Sequence, residues 1–311
     1  MRISVIKEEN ALNIVGLKKS IGNTTLLRNI NLDVKSGQFV GMIGLNGSGK
    51  TSLVECVVGL KVPDAGQISV YGSSVDDLFT KTRIGYMPQD LNIIKEQEVR
   101  KVIRFIGQSY GLSAEYADKR IKELSEQFGI ANKMDQSAIT LSGGMQRRVL
   151  LMCSILHDPD IILIDEPTTG LDPSSREQIW NYLKTLHTQG KTILMTSHYT
   201  EEIELLCSHI CVMKDGVVSE LIEKDELLNS IIAKSNKILI QTSSVITQSK
   251  LDQTKLKDYS MSIRSSFSLD VIVDNKDHNI KDLVEYIHDT WGLVSIKRPG
   301  LEQLISIDRI F

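Results

Sequence analysis

The chain has 311 residues, enough for two unequal domains, and its 41% hydrophobic and 24% charged content allows a sizeable buried core. The net charge of -3, with Lys and Arg scattered, gives no overall bias toward nucleic acid. No window approaches the ~18 consecutive apolar residues of a membrane span, and Met1–Asn10 is mixed and charged rather than a secretory leader, so the chain is expected to be soluble.

The first part alternates strands and helices. Gln38–Ile43 is a short apolar run ending before glycine, which predicts a buried strand. A helix is expected from Lys50 to about Gly59. Pro63–Gly66 reads as a turn, and Gln67–Tyr71 as another strand. Between about Asp90 and Ile139 the pattern becomes helical. Val99, Val102, Ile103 and Ile106 form one helix face, and Ile121, Leu124 and Phe128 mark a second. The alternation then resumes. Val149, Met152, Cys153 and Leu156 stripe a helix, and Ile161–Ile164 is a strand with both faces covered. Ile179, Leu183 and Leu186 stripe the next helix. Lys191–Ser197 is a strand and Thr200–Cys207 a short helix. Asp215-Gly216 sits in the turn of a hairpin between Cys211–Met213 and Val217-Val218.

Beyond about Ser230 polar residues become frequent. Phe267, Leu269, Val271 and Val273 alternate as in a half-exposed strand. Ile280, Leu283, Val284 and Ile287 form a helix face, Leu293–Lys297 a strand, and Leu301–Ser306 a last helix. This predicts an α/β domain over residues 1–233, with a helical insertion at about 90–140, and a small α+β domain over 234–311. The four cysteines, Cys56, Cys153, Cys207 and Cys211, form no C-x-x-C pair and sit among apolar residues. They read as buried free thiols in a reducing compartment.

Gly44-Leu45-Asn46-Gly47-Ser48-Gly49-Lys50-Thr51 matches G-x-x-x-x-G-K-S/T in full, after a strand and before a helix. Glycines there let successive N–H groups face phosphate oxygens, and the helix N-terminus adds positive potential. Lys50 would bring charge to the β- and γ-phosphates of ATP. Thr51 would offer a hydroxyl to Mg²⁺, and Ser52, next on the helix, joins the nucleotide-binding set. Asp165 ends the strand Ile161–Ile164, within reach of the magnesium shell. Glu166, on the other side of the pleat, could act as general base on the attacking water.

Further motifs make this chain similar to the ATP-binding cassette (ABC) family. Leu141-Ser142-Gly143-Gly144-Met145-Gln146 resembles its signature, with Met in place of the usual Gln. Gly85–Gln89 resembles its glutamine loop, Ile161–Pro167 its magnesium-binding strand, Gly170–Pro173 its aspartate loop and Thr196–His198 its switch histidine. The motifs follow the family's order over about Leu12 to Glu223. The resemblance implies a P-loop NTPase of ABC ATPase type with a helical subdomain, acting with ATP and Mg²⁺. Ser142, Gly143 and Gly144 would cap the ATP held by a second copy of the domain. Gln89 would contact magnesium and the attacking water, and His198 would contact the γ-phosphate and hold Glu166 or the water. Asp172 would sit where two ATPase domains meet. The family usually stacks an aromatic ring on adenine; by position that residue is Ile21, which predicts weaker ATP binding or looser base selectivity.

The order Thr196–Glu202, with the small C-terminal domain, resembles the exporter branch serving drugs, lipids and peptides. The implied partners are a separate integral membrane permease and a second copy of the chain, with no nucleic acid. The implied location is cytoplasmic, at the inner face of the membrane through the permease. Two other functions compete. A soluble cassette acting on ribosome or DNA would usually carry two cassettes or a long coiled coil, and neither is evident. A non-hydrolysing regulator would typically lack Glu166 or His198. The C-terminal domain is expected to serve dimer contact or regulation.

Overall fold

The computed structural model describes residues 10–89, 96–228, 237–247, 260–272 and 280–297. They form two compact units that divide between Lys224 and Asp225.

The first unit opens with a hairpin of long strands, β1 (Asn10–Ile21) and β2 (Thr24–Lys35). β1 also pairs with β4 (Ala65–Val70), which pairs with β5 (Ser73-Ser74), so the antiparallel sheet has the order β2-β1-β4-β5. The sequence pattern concealed β1. Leu12 and Ile14 point into the core, then the register shifts and the next core residue is Leu17. A bulge moves one side chain out of phase, so period-2 counting fails there.

The main sheet has seven strands. β3 (Phe39–Ile43), β6 (Ile84–Met87), β7 (Ile161–Asp165), β8 (Thr192–Ser197) and β9 (His209–Lys214) make its parallel part. Their order is β9-β3-β8-β7-β6. β10 (Val217-Val218) and β11 (Ile222-Glu223) join β9 antiparallel. The predicted hairpin around Asp215-Gly216 is therefore present. β7 is fully buried, as its unbroken apolar run requires. Ile161 and Leu163 face a core shared with α1 (Lys50–Val57) and the antiparallel sheet, through Leu53, Val54, Leu12 and Leu17. Each such buried aliphatic side chain contributes about 1.5–3 kcal/mol.

The helical segment holds α3 (Val99–Ser109) and α4 (Ala114–Gln127), after the short α2 (Leu78–Thr82). Val99, Val102 and Ile103 are buried as expected. Ile106 is only half-buried, and the adjacent Gly107 is buried close to Leu156. Phe128 is buried and stacks on Tyr182, at 4.0 Å between ring centres, tying this segment to α6 (Pro173–Thr188). α5 (Gly143–Ile155) and α7 (Thr200–Leu206) complete the unit. All four cysteines are buried and free. Burial pushes the Cys153 and Cys211 thiols up to about 12, so neither offers a thiolate near neutral pH.

The second unit contains an antiparallel sheet of order β13-β14-β12-β15. Its strands are β12 (Lys237–Thr242), β13 (Ser260–Ser265), β14 (Ser268–Ile272) and β15 (Leu293–Lys297), with the helix α8 (Ile280–Trp291). Ile240, Ile246, Leu269, Val271, Ile287 and Trp291 make its core. The expected alternation holds at Leu269 and Val271. Phe267 breaks it: it lies in the turn before β14 and is half-exposed. Val273 and the helix expected at Leu301–Ser306 lie outside the described residues. Among the described residues, no helix is long and apolar enough to cross a membrane.

Candidate active site

β3 delivers the chain into the loop Gly44–Gly49, and α1 leaves it at Lys50. Gly49 takes φ +110°, and a Cβ there would lie 2.7 Å from Met213 Cε and 2.8 Å from the Leu26 carbonyl oxygen. Only glycine fits this crossing. No side chain caps the N-terminus of α1, so its first amides carry no side-chain acceptor and remain available to an anion. Ser48 Oγ is buried without a partner inside the same loop. Lys50 is buried and turns back on the loop, donating to the carbonyls of Gly44 at 2.8 Å and Leu45 at 3.1 Å. Burial lowers its pKa, against the opposing pull of Glu166 and Asp165.

Asp165 ends β7 opposite Thr196 of β8. The Thr196 hydroxyl donates to its Oδ1. Its Oδ2 is buried with no partner, and burial pushes its pKa up against the opposing pull of the Thr196 and Thr51 hydroxyls. A buried carboxylate with a spare oxygen, beside a threonine hydroxyl, is a donor set that fits a hard cation such as Mg²⁺. Such a cation would relieve the burial cost on Asp165, as a polyphosphate would on Lys50.

Glu166 lies past the end of β7 and adopts φ +46°, so a left-handed turn aims its side chain, not the strand's alternation. Its backbone N–H bonds the Thr196 carbonyl at 3.1 Å, which holds this unfavourable conformation. The carboxylate gathers four neighbours. Oε1 lies 3.8 Å from Lys50 Nζ. Oε2 accepts from Thr169 Oγ1 at 3.0 Å and from Gln89 Nε2 at 3.3 Å. His198 Nδ1 is 3.2 Å from Oε2, outside hydrogen-bonding angles. The loop lysine, the carboxylate, the glutamine and the histidine thus converge, although 148 positions separate Lys50 from His198 in the chain.

Comparison with known proteins shows a family likeness. The ABC transporter family model matches residues 27–169. Nod factor export ATP-binding protein I of Burkholderia lata is 39% identical over 202 residues, 64% of this chain and 66% of that protein. Its counterpart in Rhizobium sp. is 38% identical over 208 residues, 66% of this chain and 68% of that protein. The chain belongs to the ABC transporter ATP-binding protein family. A solved dimer of an ATP-binding cassette in a post-hydrolysis state, bound to ADP and Pi, shares the fold of this ABC ATPase. It has a TM-score of 0.62 and 26% identity, covering 68% of this chain and 98% of that one.

Among the described residues, other residues of the ABC pattern make no hydrogen bond to the Glu166 carboxylate. Leu45, Asn46 and Gly47 are exposed at the loop tip. Ser52 accepts from Lys61 at 3.3 Å. Ser142 caps α5, its hydroxyl accepting from Met145 N–H at 3.4 Å. A Cβ on Gly143 would make only an ordinary contact with Leu171, whereas Gly144 packs tightly on Ser175 of α6. Among the described residues no hydrogen bond joins these three to the cluster. α5 is linked to the glutamine loop: the Arg147 guanidinium donates to the Gln89 and Pro88 carbonyls. Asp172 caps α6 through Ser175 N–H at 3.0 Å, and that residue's hydrogen bonds hold its carboxyl below the usual range. Ile21 is exposed at the end of β1, paired with Thr24, two residues before the Leu26 carbonyl that abuts Gly49.

Thr169, Thr196 and Arg147 were not legible as site residues. Thr196 adjoins the histidine motif, but only the pairing of β7 with β8 sets it against Asp165.

Proposed function

We propose that this protein is the ATP-hydrolysing subunit of a transporter. The observation that carries the reading is the convergence of Lys50, Gln89, Thr169 and His198 on the Glu166 carboxylate, directly beside the phosphate loop. ATP would lie with its phosphates on the amides of Gly44–Ser52, and Lys50 would exchange the Gly44 and Leu45 carbonyls for phosphate oxygens. Thr51, Asp165 and Gln89 would hold Mg²⁺, which when bound neutralises charge on the phosphates. Glu166 would take a proton from water as its oxygen attacks the γ-phosphorus. The bond to the bridging oxygen breaks, giving ADP and phosphate. Gln89 and His198 would orient the carboxylate and the water.

Ser142–Gly144 make no hydrogen bond to the cluster of their own chain, which supports a site closed by a second copy. The dimeric post-hydrolysis cassette supports the same arrangement. The name of the relatives, Nod factor export ATP-binding protein I, supports an exporter. We assign it a separate integral membrane permease and a location at the cytoplasmic face of the membrane. We assign the ATPase domain to residues 1–233, with the helical insertion at about 90–140, and the domain from 234 to dimer contact or regulation.

Glu166→Gln tests the chemistry. Hydrolysis should fall to background while ATP-bound dimers accumulate, and a wild-type rate would refute Glu166 as the base. Co-purification with a membrane subunit in gentle detergent tests the transporter assignment. Failure to recover any such subunit, with no ATP-dependent flux in vesicles, would count against it.

A further inference from the structure

One buried carboxylate outside the cluster touches both segments that carry its key groups. Glu202 of α7 is 1% exposed. Its Oε1 accepts from Trp180 Nε1 at 3.0 Å and from the Thr168 hydroxyl. Its Oε2 accepts from Ser197 Oγ at 2.6 Å. Burying a carboxylate is costly unless its oxygens are bonded, and here three donors meet it. An apolar residue of similar size would fill the space but would leave those donors without their acceptor.

The donors are placed with consequence. Thr168 is next to Thr169, whose hydroxyl donates to Glu166. Ser197 immediately precedes His198, and its Oγ also accepts from Tyr199 N–H at 2.9 Å. The turn carrying His198 is therefore pinned on both sides of the imidazole. Trp180 anchors the same carboxylate to α6. Tyr199 adds a ring contact on His198, at 4.0 Å between centres.

We propose that Glu202 is a positioning residue for ATP hydrolysis: its carboxylate, shared by Thr168, Trp180 and Ser197, sets the spacing between Glu166 and His198. This rests on the roles given above to Glu166 and His198. Small displacements of reacting groups carry large rate penalties, so the loss should appear in turnover and not in nucleotide affinity.

The test uses the full-length protein. Glu202→Leu should lower kcat about 10- to 100-fold and leave the equilibrium affinity for a fluorescent ATP analogue within about twofold. Glu202→Gln should restore most of the turnover. Its carbonyl oxygen can serve Trp180 and Thr168, while its amide donates to Ser197 Oγ. Should the leucine variant fail to fold, Trp180→Phe removes a single donor and should give a smaller loss of the same kind. The His198 imidazole NMR signals of the nucleotide-free protein should shift in Glu202→Leu and Trp180→Phe and return toward wild type in Glu202→Gln. Unchanged kcat in a folded Glu202→Leu protein, a loss confined to ATP affinity, or unmoved His198 signals would each overturn the proposal. If Glu166→Gln kept wild-type turnover, the base assignment would fall instead, and the His198 signals would still report on Glu202.

Discussion

His157 follows α5 and lies flat against Tyr110, 3.7 Å between ring centres and 6° from parallel. Its Nε2 is 3.0 Å from the Ile84 carbonyl, and its Nδ1 is buried with no partner. Burial drops its pKa from 6.5 to about 4, outweighing the Ile84 carbonyl that favours the charged form. The unfolded chain therefore binds more protons than the folded one between these values. Stability from the neutral imidazole is complete above pH 6.5 and is lost as pH falls toward 4. At pH 5 the unfolded imidazole is almost fully protonated and the folded one is not, a cost of about 2 kcal/mol. Below pH 4 the cost levels off near ~3 kcal/mol.

His157→Gln supplies the comparison, because glutamine can still donate to Ile84 and does not titrate. Urea unfolding of both proteins at pH 8 and pH 5 measures the effect, with the other titrating groups common to both. The chain has two tryptophans, so 5-fluorotryptophan labelling gives separate ¹⁹F signals for Trp180 in the first unit and Trp291 in the second. On the Trp180 signal, the wild-type advantage should shrink by about 2 kcal/mol between pH 8 and pH 5. Identical pH dependence in the two proteins would refute the reasoning.

Gly144→Ala should destabilise the first unit. A Cβ would lie 2.4 Å from Ser175 Oγ, which can rotate away, but also 2.8 Å from Ser175 Cβ, which cannot. Overpacking of about 1–3 kcal/mol exceeds the ~1 kcal/mol that alanine gains in a helix, and an equally stable variant in the same unfolding assay would refute the close approach. Ile21→Tyr should strengthen ATP binding by up to about tenfold through ring stacking, or sharpen the preference for ATP over GTP; calorimetric titration that finds neither change would sink the idea. A chain ending near Lys234 should dimerise less or lose control of its ATPase rate, and normal behaviour by sedimentation and turnover would remove both roles from the C-terminal segment.

The nucleotide end of this protein can be read from consecutive residues. A phosphate loop is a local object: glycines at fixed offsets, a lysine and a threonine, between a strand and a helix. Lys50 and Thr51 were therefore legible, as was the strand Ile161–Ile164, whose unbroken apolar run can only be buried on both faces. The long first strand was not, because a bulge between Ile14 and Leu17 broke the period on which strands are recognised.

The orientation of Glu166 and most of its partners follow from the packing of the sheet. Its aim comes from a left-handed turn held by Thr196, and that contact exists because β8 lies next to β7 although α6 separates them in sequence. Thr169 and Trp180 carry no motif of their own, and Glu202 lies in a recognised segment that gives no hint of its partners, since serving as donor or acceptor at a given distance leaves no periodicity in a chain. The phosphate loop is written in consecutive residues because backbone amides bind phosphate. The carboxylate beside it depends on side chains from four separate segments, and a folded sheet is needed to bring them within 4 Å.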